Sequence, residues 1–224
     1  MHSFKIKQIN WNPAYRIVPS RFPSIYLFDR VASREDFDVL NELEAMTNPR
    51  LRDELGELSL VPDDEKIFGP GSGPIMASFT HLNPSGSRFS DGSYGVFYAA
   101  EDKRTAIEET KFHSANFLRA TNEAPIHLQM RLYSVQVCGD VADLLQPDDL
   151  GILSPTSYAV SQAIGKQVRD AKLNGILYES VRNPGGACIA AFRTSILSKC
   201  FHAAYYEYHW DGKDINYVTQ EIAS

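Results

Sequence analysis

Gly175-Ile176-Leu177-Tyr178-Glu179-Ser180-Val181-Arg182-Asn183-Pro184-Gly185-Gly186-Ala187-Cys188-Ile189-Ala190-Ala191-Phe192-Arg193 reads as two short apolar strands around a turn. Strands are expected over Gly175 to Glu179 and Ala187 to Arg193, because each is a short apolar run bounded by turn residues. Arg182-Asn183-Pro184-Gly185-Gly186 separates them, and Pro and Gly are the residues that set tight turns. Upstream, a helix is expected from Ser157 to Lys172, stopping before Asn174-Gly175. Downstream, Tyr205 to Trp210, an Asp211-Gly212 turn and Lys213 to Val218 give a hairpin pattern.

Further out, Ile126, Leu128, Met130 and Leu132 alternate with His127, Gln129, Arg131 and Tyr133, the period of a half-buried strand. Lys103 to Leu118 reads as a helix with Ala106, Thr110, His113 and Phe117 on one face. Ile75 to Thr80 and Tyr94 to Ala100 read as strands flanking the polar turn Asn83 to Gly92. Pro62 to Pro74 is a long Pro- and Gly-rich connection of the kind that borders sites. Ser33 and Asp36 have capping-box-like spacing ahead of Phe37, Leu40, Leu43 and Met46, which predicts a helix from Arg34 to Thr47. Pro13, Pro19 and Pro23 make residues 1–25 an extended arm rather than a helix. Strands outnumber helices without β-α-β alternation. The fold class expected is therefore α+β, one domain over residues 1–224 with a mixed, mostly antiparallel sheet.

The 224 residues include 22 Lys and Arg against 28 Asp and Glu, a net charge of −6. That balance argues against a broad nucleic-acid or acidic-membrane surface. A 43% hydrophobic content is that of a chain with a packed core. Cys138, Cys188 and Cys200 are widely spaced with no C-x-x-C pair, which argues against a zinc site and a disulfide framework and predicts buried, reduced thiols. No metal is expected. The opening residues lack a signal-peptide run and no membrane-length apolar stretch follows, so a cytoplasmic protein is expected.

Phosphate-loop, dinucleotide, nucleophile-elbow and H-E-x-x-H motifs are all absent. What stands at the ends of the predicted elements is a set of polar residues: Arg88, Tyr98, Glu109, and Ser180 with Arg182. Each has an ordinary explanation. An Arg in a Gly/Ser turn is usually solvated, and Glu108 and Glu109 sit where acids serve a helix dipole. Tyr98 can be a packed strand aromatic, Ser180 can satisfy the backbone of its own turn, and His113 can be a packed helical His.

In order along the chain, however, Gly86-Ser87-Arg88-Phe89 with Gly95-Val96-Phe97-Tyr98-Ala99, then Thr105-Ala106-Ile107-Glu108-Glu109-Thr110 with His113, then Gly175 to Phe192, resemble the three blocks of the RES domain family. The likeness spans roughly Phe28 to Val218, and Phe89 stands where many members carry Trp. The resemblance implies an ADP-ribosyltransferase-like fold and the toxin of a bacterial toxin–antitoxin pair acting on NAD+. It implies hydrolysis or phosphorolysis at the nicotinamide–ribose bond, with ADP-ribosylation of a protein as the alternative. It also implies an Xre-like antitoxin encoded nearby, expected to cover or enter an acidic-rimmed pocket. NAD+ is then substrate and no resident cofactor is expected; the sequence leaves a homo-oligomer open.

The chemistry fits these residue types. Nicotinamide leaves NAD+ as a neutral group, so the enzyme must steady an oxocarbenium-like ribose, the work of a fixed carboxylate. Glu109 is the residue expected to do it. Arg88 suits the pyrophosphate, because a guanidinium offers two parallel donors. Tyr98 is expected to stack on nicotinamide, and Ser180 to donate a hydrogen bond to its carboxamide or the ribose without acting as nucleophile. Arg30 and Arg182 are further candidates for substrate contact. A fold that binds without turnover is the alternative from another class.

Overall fold

The computed structural model describes residues 4–21, 27–30, 35–36, 56–147 and 149–221. Three helices, α1 (Gly73–Thr80), α2 (Lys103–Ala120) and α3 (Ala159–Asp170), pack on one seven-stranded sheet. The strands are β1 (Ile6–Pro19), β2 (Phe97–Ala100), β3 (Ile126–Leu144), β4 (Gly175–Glu179), β5 (Ala187–Ala191), β6 (Leu197–Trp210) and β7 (Ile215–Gln220). Every pairing is antiparallel except β3–β4, so the expected α+β class with a mixed, mostly antiparallel sheet is borne out. No helix among the described residues is long and apolar enough to cross a membrane.

The sheet order is β1-β2-β5-β4-β3-β6-β7, and β1 also pairs with β3. Five strands therefore close a ring, β1-β2-β5-β4-β3-β1, and β6 and β7 extend from it. The long β3 makes this possible by changing partners along one edge. It pairs with β6 from Ile126 to Val137 and with β4 from Ala142 to Leu144, while β1 runs along its other edge. Register shifts between Trp11 and Ala14 in β1, and at Leu132/Tyr133 and Ser134/Gln136 in β3, are bulges that bend strands. Pro13 lies in the first, where a residue without N–H interrupts no ladder bond. Ile6–Pro19, within the segment read as an arm, is a full strand of the sheet.

The ring strands are covered on both faces. Leu177, Ile189, Phe97 and Ala99 join Ile75, Met76 and Phe79 of α1 in one core. Their sequence neighbours Ile176, Tyr178, Cys188, Ala190 and Ala100 join Ala106, Ala115 and Leu118 of α2 and Val168 of α3 in the other. Successive strand residues point to opposite faces, so the continuous apolar runs of β4 and β5 feed two cores at once.

Two expectations are corrected. Ile75–Thr80 is helical, not a strand: Pro74 stands in the first turn, where its missing N–H costs nothing. Six of the eight residues of α1 are buried, so the run is apolar all round and carries no helical period. Cys138 is exposed, whereas Cys188 and Cys200 are buried; all three are free thiols. The helix expected over Arg34 to Thr47 lies outside the described residues, apart from helical Glu35 and Asp36.

Candidate active site

The turn that carries Arg88 is held by hydrogen bonds of its own and from neighbouring elements. Ser87 N–H donates to Ser90 O at 2.7 Å, and Asn83 Nδ2 donates to Gly86 O at 2.9 Å. Gly86 takes φ +74°, a left-handed value that favours glycine. Phe89 is fully buried and packs edge-on against Tyr178 with centroids 4.9 Å apart. Tyr98 OH accepts from Phe89 N–H at 3.0 Å and bonds Ser87 Oγ at 2.8 Å. From α3, Gln162 Nε2 donates to Ser87 O and Ser90 O. Arg88 is held between these anchors and is only 7% exposed. Its Nη1 donates to Ile152 O at 3.2 Å and Ser154 O at 3.0 Å, and its guanidinium lies 4.8 Å over the Tyr158 ring.

A second set of contacts fixes Glu109. Asp102 caps α2, accepting from Thr105 N–H at 2.9 Å and from its hydroxyl at 2.6 Å. Thr105 Oγ1 in turn accepts from Asn183 Nδ2 at 2.8 Å, which ties the start of α2 to the β4–β5 loop. Gly186 lies hard against Thr105 Oγ1, leaving no room there for a Cβ. One turn on from Thr105, Glu109 faces Ser180 across that junction. Ser180 Oγ donates to Glu109 Oε1 at 2.6 Å and accepts from the backbone N–H groups of Arg182 and Asn183 at 3.1 and 2.9 Å. The hydroxyl proton is committed to the carboxylate. His113 Nε2, one turn further on, stands 3.8 Å from Glu109 Oε2.

Two adjoining cavities open here. The smaller, about 460 Å³, is lined by Arg88, Tyr98, Glu109, His113, Tyr158 and Tyr178 among others. The larger, about 830 Å³, shares Arg16, Ser87, Tyr98 and His113 with it and adds Arg131 and Tyr133. Both volumes fall in the range of small-molecule sites. Glu109 is the one carboxylate among the described lining residues, against Arg16, Arg88 and Arg131. The expected acidic rim is therefore replaced by a cationic wall that holds one carboxylate, and the site suits an anionic ligand.

The ionisable groups fit that picture. Burial raises the Tyr98 hydroxyl to about 12, against hydrogen bonds from Ser87 and Phe89 and the charge of Arg88; it is a neutral donor or acceptor. Burial lowers His113 below its ordinary value; Glu109 opposes this and Arg182 and Arg88 add to it. Burial, then Glu109, pushes the Cys188 thiol up, which keeps this lining cysteine protonated.

Residues 66–211 match the sequence profile of the RES domain. The chain belongs to the RES domain family. Within it, the uncharacterised protein y4oC of Sinorhizobium fredii is 34% identical over 203 residues, covering 90% of this chain and 84% of that protein. Among solved structures, the Mycobacterium tuberculosis MbcT–MbcA toxin–antitoxin complex includes a chain of similar course. It is 14% identical, with 88% of this chain and 86% of that chain covered and a TM-score of 0.45.

The RES profile takes in α1 to β6 but not β1, the strand that brings Arg16 to the cavity. Arg16 Nη1 donates to Tyr98 O at 2.9 Å, its guanidinium lies 4.7 Å over Phe97, and burial lowers its pKa. Neither Arg16 nor Tyr158 stood out in the sequence, because neither belongs to a motif and only the fold places them beside Arg88. Of the residues that did, Arg88, Tyr98 and Glu109 converge on one cavity. Ser180, 3% exposed, lines neither cavity and reaches the site through Glu109. Arg182 lines neither as well: its Nη2 donates to Pro155 O at 2.7 Å and its guanidinium covers Phe112 at 3.2 Å. Arg30 ends the helical turn Leu27–Arg30, and its side chain lies outside the described residues.

Proposed function

We propose that this RES protein cleaves the nicotinamide–ribose bond of NAD+ and serves as the toxin of a toxin–antitoxin pair. The observation that carries the reading is Glu109: a carboxylate oriented by a buried hydroxyl, the one carboxylate among arginines in the described lining of cavities of ligand size. NAD+ is a dianionic pyrophosphate that develops positive charge at C1′ of one ribose as it reacts. A site with cations along its walls and one fixed carboxylate complements both features.

When the C1′–N bond breaks, its electron pair goes to the ring nitrogen and nicotinamide leaves uncharged. Glu109 holds the oxocarbenium-like ribose through charge and through its hydroxyls. Arg88 is tethered by Nη1 alone, so Nε and Nη2, which have no partner among the described residues, are the donors offered to phosphate oxygens. Tyr98 and Tyr158 supply aromatic faces beside them. Water then bonds to C1′ through its oxygen and gives its proton up to solvent, which yields ADP-ribose; phosphate bonds through an unprotonated oxygen and yields the 1-phosphate. Ser180 acts as a positioning residue. The antitoxin, an Xre-like protein encoded nearby, silences the enzyme by covering the arginine-lined opening.

The test is NAD+ loss and product mass by chromatography, for wild type and Glu109→Gln, each with and without phosphate, with both proteins shown to be folded. Loss in wild type alone, with a product mass that names the acceptor, is expected. No loss in either protein, with no transfer of labelled ADP-ribose to protein in cell extract, overturns the reading in favour of a silent binding module.

A further inference from the structure

Outside the cavity, β3, β6 and β7 place a second group of chemically capable side chains on one face. His127 of β3 and His209 of β6 are directly opposite in the strand register, and Glu207 lies two residues before His209 on the same face. His127 Nε2 stands 3.2 Å from His209 Nδ1. On the far side of both rings is the same oxygen: Glu207 Oε1 is 3.2 Å from His127 Nδ1 and 3.1 Å from His209 Nε2.

The tautomers follow from that carboxylate. Two nitrogens facing one carboxylate oxygen carry their protons toward it. A neutral imidazole with one nitrogen protonated presents a lone pair at the other, so with both outer nitrogens protonated His127 Nε2 and His209 Nδ1 face each other as two acceptors 3.2 Å apart. A cation bound to both, off the line that joins the two nitrogens, removes that repulsion. Two tetrahedral Zn–N bonds of about 2.0–2.1 Å put their nitrogens roughly 3.3 Å apart, which is the separation found. A carboxylate on the outer nitrogen of each ligating histidine is the arrangement that fixes tautomer and ring orientation at metal sites. His209 is further held by stacking on Tyr217 at 3.9 Å and 18°, and Thr219 Oγ1 lies 3.1 Å from its Nε2. The His209 side chain is 12% exposed and that of His127 59%, so one side stays open to an ion and its waters.

The geometry points to a cross-strand two-histidine site for a late first-row divalent ion such as Zn²⁺, with His127 Nε2 and His209 Nδ1 as ligands and Glu207 orienting both. It shares no residue with the cavity and pins β6 to β3.

The experiment uses the full, untagged chain and zinc as the probe, read by calorimetric titration and thermal melting. One equivalent is expected to bind, with Tm rising roughly 5–10 °C at a hundred times Kd. Glu207→Gln is expected to weaken binding by about 10–100-fold, and the double variant His127→Asn/His209→Asn to abolish it. Unchanged zinc binding in a folded double variant, or none in wild type, overturns the proposal. Should the double variant not fold, ring signals of the wild-type histidines decide. Shifts at His127 and His209 with one equivalent of zinc support the site, and shifts at other histidines alone overturn it.

Discussion

Ser180 and Glu109, 71 residues apart in the chain, are joined by a hydrogen bond of 2.6 Å between a hydroxyl that reaches no cavity and a carboxylate that lines one. This bond makes Ser180→Ala an informative variant. Hydrogen bonds to charged groups contribute about 1.5–3 kcal/mol, so losing one that orients Glu109 is expected to lower kcat about 10–100-fold with little change in KM for NAD+. The same change strips two backbone N–H groups of their acceptor and is expected to lower stability by about 1–3 kcal/mol. Steady-state kinetics beside a melting curve separate the two effects. A lower Tm with unchanged kcat would leave Ser180 serving only its turn.

Tyr98→Phe keeps the ring and deletes the hydroxyl that holds Phe89 N–H and Ser87 Oγ. The turn bearing Arg88 then loses a clamp, while Glu109 and its partner are untouched. KM for NAD+ is expected to rise by roughly 5–10-fold, the equivalent of about one neutral hydrogen bond, with kcat changing less. An equal fall in kcat at constant KM would place Tyr98 in the bond-breaking step instead.

Much of this site was legible because its residues travel in motifs. Pattern alone left Arg88, Tyr98 and Glu109 as ordinary turn, strand and helix residues; the resemblance of their segments to the RES blocks singled them out, and the structure brings the three to one cavity. The β4–β5 strands were readable from pattern: short apolar runs around Pro-Gly-Gly. The misread segment, Ile75–Thr80, failed because a helix buried nearly all round shows no period. Arg16 and the His127–His209 pair were invisible for a different reason. Strand register set by pairing brings His127 to His209 across 82 residues, and nothing local to either announces it.

His113 offers a check on the electrostatics. Burial lowers its pKa, Glu109 pulls it up, and Arg182 and Arg88 push it down again. A ring titration followed by NMR is expected to give a midpoint below the ordinary 6.5, and a lower one still in Glu109→Gln, where the anion is gone. The unfolded chain then takes up this proton at higher pH than the folded one. The contribution of His113 to stability is accordingly present above about pH 6.5 and declines as pH falls below it. With its side chain 55% exposed the effect is small, so the titration, not the melting curve, is the decisive reading. A midpoint above 6.5 would mean that attraction to Glu109 wins.

Gly165 of α3 tests whether the helix sets the position of Arg88. Its Cα lies against the backbone of Phe89, and a Cβ would run into Phe89 O and C. Two terms oppose each other in Gly165→Ala. Alanine favours an exposed helix by about 1 kcal/mol over glycine, but overpacking a buried contact costs about 1–3 kcal/mol, and the neighbour here is backbone that cannot rotate away. The steric term is expected to win, lowering Tm by a few degrees. Because Phe89 adjoins Arg88 and accepts from Tyr94 OH at 2.6 Å, the strain passes into the turn, and KM for NAD+ is expected to rise. A variant more stable than wild type with unchanged KM would show that α3 can draw back without moving the arginine turn.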